Sequence, residues 1–366
     1  MKFKISNIAL ISTFIIFSIL ITPIALAKTR ESYLTDFIFE KQKDDEMFGA
    51  TYQDTAYALE IIDYYNLYQI PGLFGSEIKI NIPDFRDNLE SAISTIFSSE
   101  EIILYDLYYL IESLDSLDTS INSLLKTKIS RYINETEQMN GGFSSDNSTS
   151  TADMISTFFA FEIKEYLNEQ INNQTLHQDW ILSCNNTDGG YGGNETLSSS
   201  LLTSYLAVHL IEKIGDLNQL ENRTATLNYF KSFYVGDSND LYNYGGYLPD
   251  IFSENTLFSS TFYCVSAINI LNAAEVNKLP TVNWVLNHQN FEDGGFSNFF
   301  GGTVQGLSSI QASYYAFKVL MNFNELGLLN EEIFMVEFNF IILLVVIVAI
   351  AAVIALLFFI WRKRKI

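Results

Sequence analysis

Four stretches of the chain are apolar almost all round at helical length. They run from Ile155 to Phe161, Leu201 to Ile211, Phe258 to Leu271 and Ile310 to Leu320, and no proline interrupts them. A helix without a polar face is buried on both sides. The segments that precede them differ. Leu124 to Thr136 and Thr281 to Asn290 intersperse polar positions, the pattern of an outer amphipathic helix. Between outer and inner helix stands a glycine turn. Gly-Gly-aromatic occurs at Gly141-Gly142-Phe143, Gly189-Gly190-Tyr191, Gly245-Gly246-Tyr247 and Gly294-Gly295-Phe296, at intervals of 48, 56 and 49 residues. Such a period marks a repeat, each unit an outer helix, a turn and an inner helix.

Two degenerate units extend the series. Phe48-Gly49 opens a stretch with Tyr52, Thr55, Ala56, Tyr57 and Ala58 that begins like the other inner helices. Ile96 to Leu117 fills the gap before Gly141 and carries Tyr105, Tyr108 and Tyr109 without the glycines. Six helix pairs predict an all-α (α/α)6 toroid with the inner helices around a central cavity. An open solenoid is the alternative, but it would need polar terminal caps.

The two ends predict a place for this ring. Lys2 and Lys4 precede an apolar run from Ile8 to Ile21 and then Ala25-Leu26-Ala27, the pattern of a signal peptide over residues 1–27. Phe340 to Ile360 carries no charge and is long enough to cross the hydrocarbon layer, and Trp361-Arg362-Lys363-Arg364-Lys365 follows it. The expected organisation is a toroid ectodomain at 28–325, a juxtamembrane linker at 326–339, a transmembrane helix at 340–360 and a basic cytoplasmic tail at 361–366. That is a single-pass cell-membrane protein with its ectodomain outside. An uncleaved N-terminal anchor is the alternative for the first segment.

Charge and composition narrow the partners. Lys and Arg total 21 against 43 Asp and Glu, and six of the basic residues lie in the two terminal segments. Residues 28–338 therefore hold 15 basic (21 − 6) and 43 acidic residues, a net of −28, which repels phosphate backbones and excludes nucleic acid as a partner. N-x-S/T sequons begin at Asn134, Asn147, Asn173, Asn185, Asn194 and Asn222, permissive sites for a glycosylated outer surface. Two cysteines, Cys184 and Cys264, make no disulfide scaffold.

Trp180-Ile181-Leu182 leads to Asp188-Gly189-Gly190-Tyr191, and Trp284-Val285-Leu286 leads to Asp293-Gly294-Gly295-Phe296. With an inner helix of the form Thr/Ser-x-aromatic-x-Ala, this pattern is similar to the prenyltransferase and squalene-cyclase repeat of the terpenoid cyclase–protein prenyltransferase alpha-alpha toroids. The resemblance covers residues 30 to 325, and four of the six units keep the Gly-Gly-aromatic core. It implies the toroid, with the glycine motif as a joint between helices, and aromatic side chains around a pocket. Those expected to line it are Tyr52, Tyr57, Tyr105, Phe158, Phe159, Tyr205, Phe262, Tyr263 and Tyr314. Packing of the rings into a filled core is the competing reading.

The catalytic sets the resemblance would imply are missing. Protein prenyltransferases of this group hold zinc with Asp-x-Cys and a later His; this chain has no Asp-x-Cys, and its histidines are His177, His209 and His288. Gln311-Ala312-Ser313-Tyr314 stands where the group shows His-Thr-Cys-Tyr. The D-x-D-D cluster of alkene-protonating cyclases and the C-G-E-Q of thioester domains do not occur. No metal site or cofactor is expected. Asp54 and Asp153 open inner helices and are the weak candidates for an atypical acid, with helix capping as the competing role. The expectation is a surface toroid that binds a small molecule, lipid or surface partner without catalysis. The alternatives are a terpenoid cyclase or prenyltransferase-type enzyme using Asp54 or Asp153, and a glycan-active (α/α)6 enzyme with two opposed carboxylates.

Overall fold

A computed structural model of the chain describes residues 26–72, 75–99, 102–215, 217–220, 222–298 and 307–335. Most of the predicted signal peptide and all of the predicted transmembrane helix and tail lie outside the described residues. Among the described residues no helix is long and apolar enough to cross a membrane. The chain divides into two compact units, residues 31–329 and the two terminal segments. Within the terminal unit β1 (Leu26–Thr29) pairs antiparallel with β4 (Glu332–Met335), in the register Leu26 to Met335 and Thr29 to Glu332.

The larger unit is the helical ring. Its outer helices are α1 (Arg30–Glu40), α3 (Ile82–Ile96), α5 (Ser123–Thr136), α7 (Gln174–Ser183), α9 (Arg223–Lys231) and α11 (Lys278–Asn287). They alternate with the inner helices α2 (Tyr52–Tyr64), α4 (Leu104–Ser116), α6 (Met154–Tyr166), α8 (Leu201–Ile214), α10 (Phe258–Asn272) and α12 (Ile310–Asn322). Six pairs are present among the described residues, the number the repeat predicts. Each inner helix packs on the next, and α12 returns to α2, so the ring closes rather than continuing as a solenoid. Burial follows the same division: α10 buries ten of its 15 residues, whereas α5 buries five of 14, all on one face. Leu326 and Leu329 are buried too, which carries this unit past residue 325 to Leu329. A short hairpin, β2 (Gln69–Gly72) with β3 (Gly75–Ile78), is inserted between α2 and α3; the repeat gave no sign of it.

The glycine turns join neighbouring units. The motif aromatics Phe143, Tyr191, Tyr247 and Phe296 are at most 1% exposed. The backbone N–H of each donates to a hydroxyl on the inner helix that follows: Phe143 to Thr157 (2.9 Å), Tyr191 to Ser204 (2.8 Å), Tyr247 to Thr261 (3.1 Å) and Phe296 to Ser313 (2.9 Å). Phe48 and Thr55 repeat the bond at 3.1 Å in the first, degenerate unit. A buried N–H left without a partner costs about 1–3 kcal/mol, so the Thr or Ser of the inner-helix motif is there for the turn. The second unit has Leu107 in that place and has lost its turn glycines as well. Both halves of the joint disappeared together.

The same register explains Asp54 and Asp153. The residue before each of four inner helices caps it: Thr51, Asp153, Ser200 and Ser309 accept from backbone N–H groups of the first turn. Asp54 completes a capping box with Thr51, its carboxylate accepting from the N–H of Ala50 and Thr51 at 2.9 and 3.2 Å. Their carboxylates serve helix ends, worth about 1 kcal/mol each. Neither lines the cavity described next, so neither is its acid.

Candidate functional site

The inner helices surround a cavity of about 850 Å³. Residues one, five and eight positions after the start of an α-helix fall on one face, because 3.6 residues make a turn. Counting from the first residue of each inner helix, these positions form three layers down the ring. The first holds Gln53, Tyr105, Ile155, Leu202, Ser259 and Gln311. The second holds Tyr57, Tyr109, Phe159, Leu206, Tyr263 and Tyr315. The third holds Glu60, Glu112, Glu162, His209 and Lys318 on the cavity wall, with Ser266 at the equivalent position of α10.

The middle layer is a tyrosine network. The Tyr315 hydroxyl lies 3.0 Å from those of both Tyr57 and Tyr263, and the Tyr57 and Tyr109 hydroxyls are 3.4 Å apart. Gln53 donates to the Tyr109 hydroxyl at 2.6 Å and accepts from Tyr105 and Gln311 at 2.8 and 3.0 Å. Rings also pack face to face: Tyr57 on Tyr314 with centroids 3.7 Å apart, and Tyr108 on Phe159 at 4.3 Å. Burial, followed by the neighbouring phenols, raises the Tyr57 hydroxyl well above its ordinary value, and burial pushes Tyr315 up to about 12. These phenols stay neutral.

Of the aromatics expected to line a pocket, Tyr57, Tyr105, Phe158, Phe159, Tyr205, Phe262, Tyr263 and Tyr314 do so. Tyr52 does not. It opens α2, five residues and some 140° of helix before Tyr57, and packs against the hydrophobic core instead. The ring centre is therefore a cavity with aromatic walls rather than a filled core.

The charged layer has a partner scheme. Lys318 pairs with Glu60, which also accepts from the Tyr314 hydroxyl at 2.7 Å. Lys213 pairs with Glu162 at 2.6 Å and with Glu165, and His209 lies 3.6 Å from Glu162. Burial acts to raise Glu162, but His209 and Lys213 outweigh it and hold the carboxylate below its ordinary value. Glu112 sits between these two pairs, on α4. Burial first, then the carboxylates of Glu60, Glu162 and Asp115, push it up to about 8, against a small opposing effect of the Tyr108 hydroxyl. Near neutral pH Glu112 keeps its proton.

The structure sets His209 on the cavity wall. No motif of the sequence marks the glutamates of this layer. Aligning the inner helices on their Thr/Ser position would have exposed them, because Glu60, Glu112, Glu162, His209, Ser266 and Lys318 all lie five residues further on.

The zinc set of the resembling enzymes does not fit these residues. Cys184 and Cys264 are both free and buried, and burial pushes the Cys184 thiol up to about 12 and Cys264 well above its ordinary value. A coordinating cysteine must give up that proton. His288 donates from Nδ1 to the Trp284 carbonyl at 2.7 Å, and His177 donates to that of Gly141. No group of three His, Cys, Asp or Glu poised for a metal occurs among the described residues.

The sequons lie elsewhere. Asn134, Asn147, Asn173 and Asn222 are exposed, while Asn185 and Asn194 are half-buried beside a glycine turn, where Asn185 Nδ2 donates to the Gly190 carbonyl at 3.2 Å.

Comparison with known proteins gives this architecture relatives. The prenyltransferase alpha-alpha toroid domain matches residues 81–177, 148–247 and 246–337. No curated protein matches the chain. Among solved structures, the protein geranylgeranyltransferase-I of Candida albicans, complexed with GGPP, is 16% identical with a TM-score of 0.54, over 80% of this chain and 88% of that one. The type II terpene cyclase MstE from Scytonema is 9% identical with a TM-score of 0.51, over 82% of this chain and 98% of that one. At these identities the likeness is one of fold.

Proposed function

Because the chain belongs to the prenyltransferase alpha-alpha toroid family, we propose that it uses the family's central cavity to bind a small organic molecule, without prenyl transfer or cyclisation, on a membrane-anchored protein whose toroid faces out of the cell. The observation that carries this reading is the composition of the cavity: aromatic walls above a layer whose lysine, Lys318, is already paired with a glutamate. A prenyl diphosphate needs clustered free cations. Here its phosphates would meet Glu60, Asp63, Glu112, Asp115 and Glu162.

Two enzymatic readings are weaker on the same residues. A carboxyl raised to about 8 holds a proton but surrenders it reluctantly, the reverse of what protonating an isolated alkene demands. A glycosidase needs two carboxylates facing each other across the sugar. Glu60, Glu112 and Glu162 come from three consecutive inner helices on one side of the ring, and the positions across from them carry His209, Ser266 and Lys318. Anchoring and outward orientation rest on the sequence of residues 1–27 and 340–365 and on the acidic excess between them.

The test is to purify the full chain from its own host, denature it and identify what leaves. An organic compound in near-stoichiometric amount, with no bound zinc, supports the reading. Transfer of a prenyl group to a peptide thiol by the same preparation contradicts it.

A further inference from the structure

We infer that the cavity ligand is an organic cation, an ammonium group carried on a mostly apolar body, with its charge seated at Glu112 beneath the tyrosine layer. This rests on the proposal that the cavity binds a small molecule and adds the chemical class.

The argument comes from the order of charges around the ring. In the third layer, going from α2 to α12, the residues are Glu60, Glu112, Glu162, His209, Ser266 and Lys318. Neighbours pair at two joints: Lys318 with Glu60 where the ring closes, and His209 with Glu162, which Lys213 reinforces. Glu112 lies midway between these joints, and the position across from it is the neutral Ser266. It is the one carboxylate of the layer that no lysine or histidine of the described residues pairs with. The groups facing it add no positive charge. They are Glu60 from α2, Asp115 and the Tyr108 hydroxyl from α4, and Glu162 from α6. A cation arriving here completes the alternation of charge.

The walls above suit such a ligand. An ammonium is attracted to the faces of aromatic rings as well as to carboxylates, and Tyr108, Phe158, Phe159 and Tyr205 line the cavity on this side. Tyr205 is half-buried on this wall and stacks its ring on Tyr263 at 5.5 Å between centroids, which leaves one aromatic face of the pair turned to the cavity layer. The cavity as a whole, about 850 Å³ with the first layer's Ile155 and Leu202 at the other end, has room for the apolar body as well.

Seating a cation beside Glu112 favours its ionised form, so binding expels a proton. With a ligand of fixed charge, affinity should rise as pH climbs towards about 8, where Glu112 gives up its proton unaided, and level off above.

The experiment is isothermal titration calorimetry on the full chain in nanodiscs of zwitterionic lipid, with three water-soluble probes that share a benzyl group. They are benzyltrimethylammonium, benzyl alcohol and benzyl phosphate. The expected result is at least tenfold tighter binding of the ammonium than of the alcohol, and no measurable binding of the phosphate. Repeating the titration at pH 6.5 in two buffers of different ionisation enthalpy should show close to one proton released per ammonium bound. Glu112→Gln, which preserves the shape of the protonated side chain, should melt no lower than the native chain, weaken the ammonium at least tenfold and abolish the proton release. Equal binding of ammonium and alcohol, tighter binding of the phosphate, or an unchanged Glu112→Gln variant would overturn the cation inference while leaving a binding cavity. Failure of all three probes, together with no compound leaving the denatured protein, would overturn the cavity reading itself.

Discussion

Gly294, in the last glycine turn of the chain, lies with its backbone against the carbonyl of Tyr33 in the first helix of the ring. A side-chain carbon built on Gly294 would come 2.2 Å from that oxygen, and the residue has φ of +91°, which a side chain disfavours. The earlier turns meet the next outer helix in the same way: Gly141 against Leu176, Gly189 against Ala225 and Gly245 against Pro280. Contact of the last turn with the first helix closes the circle. Gly294→Ala should therefore cost about 2–4 kcal/mol from backbone strain and overpacking combined, measured by urea unfolding. Gly327→Ala, with nothing within 4 Å of the new carbon, should be neutral or slightly stabilising.

The turn hydroxyls give a second prediction. Thr157→Val keeps the shape of a fully buried side chain but leaves the Phe143 N–H without its acceptor. A loss of about 1–3 kcal/mol is expected. Thr157→Ser retains the bond and gives up only a methyl group, so it should cost less. If valine and serine unfold alike, the bond is not what holds the joint.

Glu112 sets the pH dependence. Its folded value of about 8 stands above the ordinary carboxylate value of 4.5. Between these values the folded chain holds a proton that the unfolded chain has lost, so this group's contribution to stability declines as pH rises from 4.5 to about 8 and is flat above. Glu112→Gln removes that decline. Melting curves from pH 4 to 9 should converge at the acid end, separate as pH rises from 4.5 to about 8 and keep a constant gap above, with the variant the more stable. Parallel curves would contradict the placement of Glu112 in the charged layer.

Sugar attachment tests the outward-facing reading. Glycopeptide mass spectrometry of the protein from its own host should find glycans among Asn134, Asn147, Asn173 and Asn222, whose side chains are exposed. Asn185 should stay bare, because its amide nitrogen is committed to the Gly190 carbonyl within a buried turn. Complete absence of glycans at the four exposed sites would count against that orientation in a glycosylating host.

The ring itself was legible in the sequence because its joints are made of residue types that announce themselves. Glycine at positive φ, a buried aromatic and an uninterrupted apolar helix recur at a period that a reader can count. The aromatic wall was legible for the same reason, apart from Tyr52, whose place depends on where α2 begins. The charged layer was not. Glu60, Glu112 and Glu162 are each followed three residues later by another acid, Asp63, Asp115 and Glu165, so nothing marks them out along the chain, and only the packing of successive inner helices brings them into one layer. Their partners Lys213 and Lys318 lie on α8 and α12, more than 45 residues away in sequence from the glutamates they meet, so no local pattern joins them. Asp54 and Asp153 drew attention by standing at helix starts, where a carboxylate is more useful as a cap.

The central claim, that the ring encloses a ligand site, is tested most directly by native mass spectrometry of the full chain beside a Leu202→Trp variant, which fills the cavity from its first layer. The account predicts a stoichiometric organic mass on the native chain that leaves on activation, and its loss from a variant that still folds. A chain carrying one zinc per molecule, or the same mass retained by Leu202→Trp, would contradict it.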